Sequence, residues 1–223
     1  MTKAEKTLPV GTAYFEGKII NCLGDSITQG VGNDNHSWVS MLEELLPVKK
    51  INNYGISGTT VSLFPEKGKE FVSRFRDMDK DADVIIVFGG INDFNHSLPL
   101  GTMESEGEDS FYGAVKTIVR GLLEQYPLAD IMFITPMKAF GFKDYPHWNT
   151  LNADGHRLVD YRNAILEVCN YYSIPVLDLF SQSNLTPDIP ACKEKLLCDG
   201  LHPSRLGYER MTRKIYNFLV NTL

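Results

Sequence analysis

Four residues in this chain have the types and the settings that acyl transfer requires. Ser26 lies in the sequence GDSIT (24–28), directly after an apolar run, and His202 lies in DGLHP (199–203) near the other end of the chain. Between them, Gly55 lies in NYGISG (53–58) and Asn92 lies in GGIND (89–93). A serine, a histidine, a glycine and an asparagine at such turns predict a site for nucleophilic catalysis.

The serine and the histidine predict a nucleophile and its base. A serine hydroxyl attacks well only when a base removes its proton, and a histidine, which titrates near neutral pH, is the natural base. Asp199 lies three residues before His202, and Gly200 between them lets the backbone turn tightly. The Asp199 carboxylate could then fix the imidazole tautomer that presents Nε2 to Ser26. The alternative is that Asp199 only caps the last helix and His202 lies at the surface, but the GDSIT turn favours the first interpretation.

Hydrogen-bond donors for an oxyanion form the second part of the predicted site. Attack on an ester carbonyl places negative charge on its oxygen, and the backbone N–H groups of Ser26 and Gly55 and the side-chain amide of Asn92 could stabilise it. A glycine at position 55 has no Cβ atom, so we expect the backbone there to approach a substrate closely. Gly55 could instead be a simple turn glycine and Asn92 an Asx-turn residue. Their placement after successive strands favours the donor role.

Other polar residues are assigned structural roles. We interpret Ser57 and Ser62 as cap and helix-surface residues, and Asp25 as a residue that holds its turn through nearby backbone N–H groups. Asp93 could support its neighbour or cap the segment that follows. No two histidines have the spacing of metal ligands, and GVG at 30–32 lacks the third glycine of a dinucleotide fingerprint, so neither a metal nor a cofactor is expected.

The elements that must position these residues alternate along the chain. Apolar runs predict strands at residues 18–23, 49–54, 83–88, 130–135 and 175–179. Helical periodicity predicts helices around residues 38–45, 111–122, 158–169 and 208–218, with a weaker one at 71–78. This order implies an α/β fold, a parallel sheet with helices on both faces. Ligands bind beyond the carboxyl ends of such strands, and Ser26, Gly55 and Asn92 each follow a different strand.

Two predicted connections are long, residues 95–108 and 136–153, and long loops in a compact domain are usually functional or disordered. The second is too aromatic for a disordered segment and is a candidate wall of the substrate pocket. The aromatic residues that we expect to line this pocket are Phe94, Phe140, Tyr145 and Trp148.

The composition limits the class of protein. The 223 residues suffice for one domain, predicted at 18–223 after an N-terminal arm at 1–17. A net charge of −6 without a basic stripe argues against nucleic acid and anionic membranes as partners. The sequence contains no run of about 18 apolar residues, the length that would predict a membrane span. Its start lacks the apolar core of a signal peptide. We expect a cytoplasmic protein, or a secreted one whose signal peptide has been removed.

The cysteines do not predict a disulfide framework or a metal site, because no two of them form a CxxC pair. Cys22 and Cys169 fall on apolar faces and are expected to be buried. Cys192 and Cys198 are close enough in sequence to close a small loop, but without a secretory context we expect two free thiols.

Together the four blocks resemble the SGNH (GDSL-type) hydrolase family, in the family's order and over nearly the whole chain from residue 18. The resemblance implies a flavodoxin-like three-layer α/β/α sandwich around a five-stranded parallel sheet. It also implies a catalytic triad of Ser26, His202 and Asp199, an oxyanion hole of Ser26, Gly55 and Asn92, and no metal or cofactor. Some relatives use a Ser–His pair, so the role of Asp199 is the one that the resemblance supports least.

The resemblance further implies an ester hydrolase, whose family substrates include acetylated sugars, short-chain esters, lysophospholipids and acyl thioesters. We expect a small acyl group, acetyl or short-chain, on a small molecule or carbohydrate, since Trp148 could stack on a sugar. The same aromatic residues could instead line a groove for the longer chain of a lysophospholipid or acyl thioester. Two further alternatives are a metal-dependent phosphoesterase, which needs histidines and carboxylates around two metals, and a binding module without turnover.

Overall fold

A five-stranded sheet forms the centre of the computed structural model, which describes residues 11–64, 68–140 and 144–223. The strands are β1 (Ile19–Gly24), β2 (Lys50–Gly55), β3 (Val84–Phe88), β4 (Asp130–Ile134) and β5 (Val176–Leu177). Their order is β2-β1-β3-β4-β5, and every neighbouring pair is parallel. This is the flavodoxin-like order, so the predicted parallel sheet is confirmed.

Helices connect the strands and cover both faces of the sheet. They are α1 (Ser26–Gln29), α2 (Trp38–Leu45), α3 (Phe71–Arg74), α4 (Ile91–Asn95), α5 (Phe111–Gln125), α6 (Leu158–Tyr171), α7 (Leu179–Gln182), α8 (Pro190–Leu196) and α9 (Arg205–Thr222). The predicted helix at 71–78 is a single turn, α3, followed by a 3-10 helix at Phe75–Asp77. The sequence did not predict α1, α4, α7 or α8, because helical periodicity cannot be recognised over one or two turns.

Each face of the sheet buries its own set of apolar side chains. Along β3, Ile85 and Val87 belong to the core beneath α5 and α6, whereas Val84, Ile86 and Phe88 belong to the core beneath α2 and α9. A strand that is buried on both faces needs no polar positions, which explains its unbroken apolar sequence. The three-layer α/β/α sandwich is therefore confirmed.

The described part of the N-terminal segment packs on this body. Phe15 ends the 3-10 helix Ala13–Phe15 and is fully buried, and the N–H of Gly17 donates to the carbonyl of Pro47 at 3.0 Å. Residues 1–10 of the predicted arm lie outside the described residues.

The cysteines agree with the sequence interpretation, since Cys22 and Cys169 are buried and all four cysteines are free thiols. Within the part of the chain that the structure describes, no helix combines the length and the apolar character that crossing a membrane would require.

Candidate active site

The carboxyl ends of three strands bring Ser26, Gly55 and Asn92 to one edge of the sheet. Gly24 at the end of β1 is in register with Gly55 at the end of β2 on one side and with Phe88 at the end of β3 on the other. Ser26 begins α1 directly after β1, and Asn92 lies in the first turn of α4 after β3. The parallel register thus gathers residues from distant parts of the sequence.

The turn that carries Ser26 is held by Asp25, as the sequence predicts. Asp25 is the N-cap of α1, and its Oδ1 accepts a hydrogen bond from the N–H of Ile27 at 3.0 Å. Its side chain is buried, and burial raises the pKa of Asp25 to about 6. The hydrogen bond from Ile27 and the electrostatic interactions with His202 and Arg74 oppose that rise.

His202 lies in a small hairpin between α8 and α9. Leu197 and Pro203 form an antiparallel bridge, and the N–H of Cys198 donates to the carbonyl of His202 at 2.8 Å. At the tip, Gly200 has a φ of +91°, a left-handed conformation that favours glycine because it has no Cβ atom. The glycine of the DGLHP sequence therefore allows the tight turn that brings the His202 imidazole next to the Asp199 carboxylate.

Asp199, His202 and Ser26 form one hydrogen-bonded chain of side chains. Nδ1 of His202 lies 2.7 Å from Oδ2 of Asp199, and Nε2 of His202 lies 2.9 Å from Oγ of Ser26. Ser26 and His202 are only 4% and 7% exposed, so these hydrogen bonds are largely shielded from water. Such an arrangement can transfer a proton from the hydroxyl to the imidazole while the carboxylate holds the ring.

The second oxygen of Asp199 fastens the backbone of the same turn. Oδ1 accepts hydrogen bonds from the N–H groups of Leu201 and His202 at 2.9 and 2.8 Å. Partial burial acts to raise the pKa of Asp199, but the hydrogen bonds from the His202 side chain and from these two N–H groups lower it below the ordinary value. Asp199 is therefore ionised at neutral pH and can orient the imidazole.

The last helix has a different cap. Helix α9 begins at Arg205, and its N-cap is Ser204, whose hydroxyl accepts a hydrogen bond from the N–H of Gly207 at 3.3 Å. The alternative that Asp199 only caps this helix is therefore wrong, and so is the alternative that His202 lies at the surface.

The three candidate oxyanion donors differ in their present partners. Asn92 is buried, and its amide nitrogen donates one hydrogen to the carbonyl of Thr59 at 2.8 Å, while a primary amide carries a second hydrogen. The N–H of Gly55 donates to Oδ1 of Asn53 at 2.8 Å, so a substrate oxygen would compete with this side chain. The N–H of Ser26 lies in the first turn of α1, where no carbonyl of the same helix can accept it.

The reason why residue 55 is glycine differs from the one expected. A Cβ atom on Gly55 would lie 2.2 Å from the backbone nitrogen of Gln29 and 2.6 Å from the carbonyl carbon of Thr28. The absence of a side chain thus lets the end of β2 pack against α1. The expectation that the glycine serves the approach of a substrate is corrected accordingly.

The loop at residues 59–62 supports the site, although no pattern in the sequence indicated this. Asp93 is fully buried and accepts hydrogen bonds from the N–H groups of Val61 and Ser62, both at 2.9 Å, and from the Ser62 hydroxyl at 2.5 Å. Asp93 therefore anchors the loop whose Thr59 carbonyl holds the Asn92 amide. Ser62 is fully buried, so its interpretation as a helix-surface residue is wrong.

Phe94 is a core residue and does not face an open pocket. Its side chain is fully buried and packs edge-to-face against Tyr161, with the ring centres 6.0 Å apart. The expectation that it lines the substrate pocket is corrected, because its position on α4 directs the ring into the core beneath α5 and α6.

Phe140 and Trp148 lie in the long connection beside the Asp199 turn. Phe140 is 41% exposed and, together with Asp199, borders an open cavity of about 660 Å³. Its N–H donates to the carbonyl of Gly200 at 2.9 Å. Trp148 is half-buried, and its indole N–H donates to Asp188 at 2.8 Å. Residues 141–143 of this connection lie outside the described residues.

Tyr145 belongs to an aromatic row that the sequence did not reveal. The ring of His96 lies between those of Phe64 and Tyr145, with centre distances of 4.8 and 5.5 Å. The N–H of His96 donates to the carbonyl of Asn92 at 2.9 Å, so the row lies one helical turn from a candidate oxyanion donor.

The other long connection, residues 95–108, is held by the buried Lys116, which donates to the carbonyl of Met103 at 2.7 Å.

No group of three or more histidine, cysteine, aspartate or glutamate side chains in residues 11–64, 68–140 and 144–223 is arranged to hold a metal ion.

Comparison with known proteins identifies relatives over almost the whole chain. The profile of the GDSL-like lipase/acylhydrolase family matches residues 22–210. A crystal structure of a protein from Lactobacillus plantarum is 31% identical, has a TM-score of 0.85, and the match covers 93% of this chain and 99% of that one. A search of curated proteins finds no match.

Two more distant structures share the fold. A possible lipase from Chitinophaga pinensis is 24% identical with a TM-score of 0.76, covering 92% of this chain and 98% of that one. An acetyl xylan esterase is 22% identical with a TM-score of 0.65, covering 89% of this chain and 98% of that one.

Proposed function

This chain belongs to the GDSL-like lipase/acylhydrolase family and is a carboxylic ester hydrolase, and on that premise we propose that it cleaves small acyl esters through a Ser26–His202–Asp199 triad. The observation that carries the proposal is the continuous hydrogen-bonded chain from Asp199 through the imidazole to the serine hydroxyl, with distances of 2.7 and 2.9 Å. The shielding of this chain from water strengthens its electrostatic interactions.

In the first half of the proposed reaction, Oγ of Ser26 attacks the carbonyl carbon of the ester while Nε2 of His202 accepts the hydroxyl proton. Negative charge moves to the carbonyl oxygen, where the N–H groups of Ser26 and Gly55 and the amide of Asn92 would stabilise it. His202 then gives its proton to the departing alcohol, and an acyl-enzyme remains.

In the second half, water attacks the acyl-enzyme with His202 as the base, and the same donors stabilise the second oxyanion. The carboxylic acid leaves, and Ser26 recovers its proton. Throughout the cycle the ionised Asp199 keeps the imidazole in one tautomer and stabilises its protonated form. This sequence of steps needs no group other than water and the residues of the chain.

For the substrate, we propose a short acyl group, acetyl or a near homologue. The support is the aromatic row of Phe64, His96 and Tyr145, which lies one turn from Asn92 and would restrict the length of an acyl chain placed beside the oxyanion donors. We place a carbohydrate or small alcohol in the open cavity beside Asp199, which Phe140 and Lys193 border.

A specific observation favours a second candidate, an esterase for longer acyl chains. Phe64 of the aromatic row also borders an open cavity of about 610 Å³ with a largely apolar surface, where Leu63, Leu98 and Pro99 lie beside Glu70 and Asp109. A lysophospholipid or an acyl thioester could place its chain there if the aromatic row admits it.

The test is a series of p-nitrophenyl esters from acetyl to palmitoyl, assayed with the wild type, Ser26→Ala and Ser57→Ala. Ser57 is an exposed serine near the site and serves as the control. We expect the highest kcat/KM on acetate, loss of activity in Ser26→Ala by at least about a thousandfold, and normal rates in Ser57→Ala and in EDTA. A preference for long chains would favour the second candidate. Activity that survives in a folded Ser26→Ala protein, or strict metal dependence, would overturn the mechanism.

A further inference from the structure

We infer that Arg74 is a positioning residue that fixes the nucleophile turn and both oxyanion loops relative to one another. This inference rests on the proposed function, because it concerns the same site. Arg74 is the last residue of α3, is half-buried, and lies 5.1 Å from the centre of the Phe71 ring.

The two ends of its guanidinium bind the ends of two neighbouring strands. Nη1 donates to the carbonyl of Tyr54 at 2.6 Å, and Nη2 donates to the carbonyl of Gly24 at 2.8 Å. Tyr54 immediately precedes Gly55, and Gly24 lies two residues before Ser26. One rigid planar group therefore sets the spacing between the nucleophile turn and the Gly55 loop.

The same guanidinium reaches the third donor through Thr59. Nη2 also donates to Oγ1 of Thr59 at 3.3 Å, and that hydroxyl donates to the carbonyl of Ile56 at 2.8 Å. The carbonyl of Thr59 holds the amide of Asn92 at 2.8 Å. Arg74 is thus linked to the segments that carry all three candidate donors: to Gly55 through the preceding carbonyl, to Ser26 through Gly24 two residues earlier, and to Asn92 through Thr59.

The charges around Arg74 show how it can remain ionised in this setting. Burial lowers the pKa of Arg74 to about 10, but the carboxylates of Asp25 and Glu70 oppose the fall, so the guanidinium is positive at neutral pH. Its charge-assisted hydrogen bonds are stronger than neutral ones, and its fork can bind two carbonyls at once. A lysine ammonium lacks that planar fork.

The carbonyls of Gly24 and Tyr54 explain why a cation is needed here. Both belong to the strand ends that carry candidate donors, and their oxygens carry partial negative charge. The guanidinium neutralises them and holds the donors in position before the substrate binds. Because oxyanion donors act mainly on the transition state, displacing them should lower kcat more than it changes KM.

The experiment compares Arg74→Gln and Arg74→Lys with the control Arg76→Gln. Arg76 is exposed, lies two residues further along, and packs over the ring of Phe75 at 4.3 Å. We would measure kcat and KM on p-nitrophenyl acetate, the rate at which a fluorophosphonate labels Ser26, and thermal unfolding. We expect both Arg74 variants to lose about tenfold or more in kcat and in labelling rate, with KM changed less than about threefold. Arg74→Lys should retain more activity than Arg74→Gln, and Arg76→Gln should match the wild type.

A second variant keeps the inference testable if the Arg74 variants do not fold. Thr59→Val removes the hydroxyl that Arg74 binds but keeps the shape of the side chain and the backbone carbonyl that Asn92 uses, and we expect a fall of a few fold in kcat. A wild-type kcat in a folded Arg74→Gln protein would overturn the inference, as would a wild-type kcat in Thr59→Val if Arg74→Gln is unfolded. If the wild type neither hydrolyses esters nor reacts with the fluorophosphonate, the proposed function itself fails.

Discussion

Gly55 lies so close to Gln29 that a Cβ atom at residue 55 would be 2.2 Å from the backbone nitrogen of Gln29. Gln29 ends the short helix that Ser26 begins. The strand end that offers one candidate oxyanion donor is therefore in direct backbone contact with the helix that carries the candidate nucleophile. This backbone contact limits how closely the two parts of the site can approach, and side-chain rotations cannot relax it.

From this contact we expect Gly55→Ala to impair activity and stability together. The added methyl group would clash with the backbone of Thr28 and Gln29, so β2 and α1 must move apart. We expect this to lower the free energy of unfolding by roughly 1–3 kcal/mol. The displaced donor should lower kcat by at least about tenfold. Denaturant unfolding and ester kinetics would measure both effects.

Gly155→Ala is the control for Gly55→Ala. Gly155 has a positive φ of +81°, but no atom lies within 4 Å of a Cβ atom placed there. Its substitution should cost about 1 kcal/mol from backbone strain and leave kcat unchanged. A normal rate in Gly55→Ala would show that the close contact does not control the site.

Replacement of Asp199 by asparagine should separate the orientation of the base from the base itself. The amide can no longer hold the imidazole tautomer as the carboxylate does, so we expect kcat to fall by about a hundredfold to ten-thousandfold without complete loss. Asp154→Asn is a matched control, since it removes another carboxylate that lies beside a histidine, 3.6 Å from Nε2 of His156. A wild-type rate in Asp199→Asn would mean that Asp199 only fastens its own turn.

Asn92→Ala should mainly affect the transition state. Loss of one oxyanion donor typically costs about 3–4 kcal/mol of transition-state stabilisation, so we expect kcat to fall by about a hundredfold to a thousandfold with little change in KM. Asn149→Ala changes an exposed asparagine in the long aromatic connection and should be neutral. If Asn92→Ala raised KM and left kcat intact, the amide would bind the ground state and the oxyanion assignment would be wrong.

Burial of Asp25 should make stability depend on pH in a definite direction. Its pKa is raised from 3.8 to about 6 in the folded protein, so between these values the folded state holds its proton more tightly than the unfolded state does. The resulting stabilisation is full below about pH 4 and disappears as the pH rises through about 6. The difference between the two pKa values corresponds to on the order of 3 kcal/mol.

The Asp25→Asn variant isolates this contribution. Its amide oxygen can still accept the hydrogen bond from Ile27, and the groups that face residue 25, His202, Asp93 and Arg74, are common to both proteins. Denaturant unfolding from about pH 4 to pH 7 should show that the wild type loses stability relative to the variant. Parallel stability curves would rule out a raised pKa for Asp25.

The strands and the four sequence blocks could be read from the sequence because each is a local pattern. The apolar run of β3 indicates that the strand is buried on both faces. A glycine-rich turn after a strand indicates where the chain leaves the sheet. Since parallel strands all end at one edge, the order of elements alone predicts that Ser26, Gly55 and Asn92 come together. The resemblance to a known family added the chemistry that such a gathering could perform.

The contacts of individual side chains were decided only by the tertiary structure. Phe94 is as aromatic as Phe140, and nothing in the spacing shows that one ring is buried in the core and the other exposed. Arg74 looks like the basic end of a weak helix, yet its partners Tyr54 and Gly24 lie 20 and 50 residues away in sequence. Hydrogen-bond partners of this kind depend on how packed elements approach one another in space, and that information is not contained in any local stretch of the sequence.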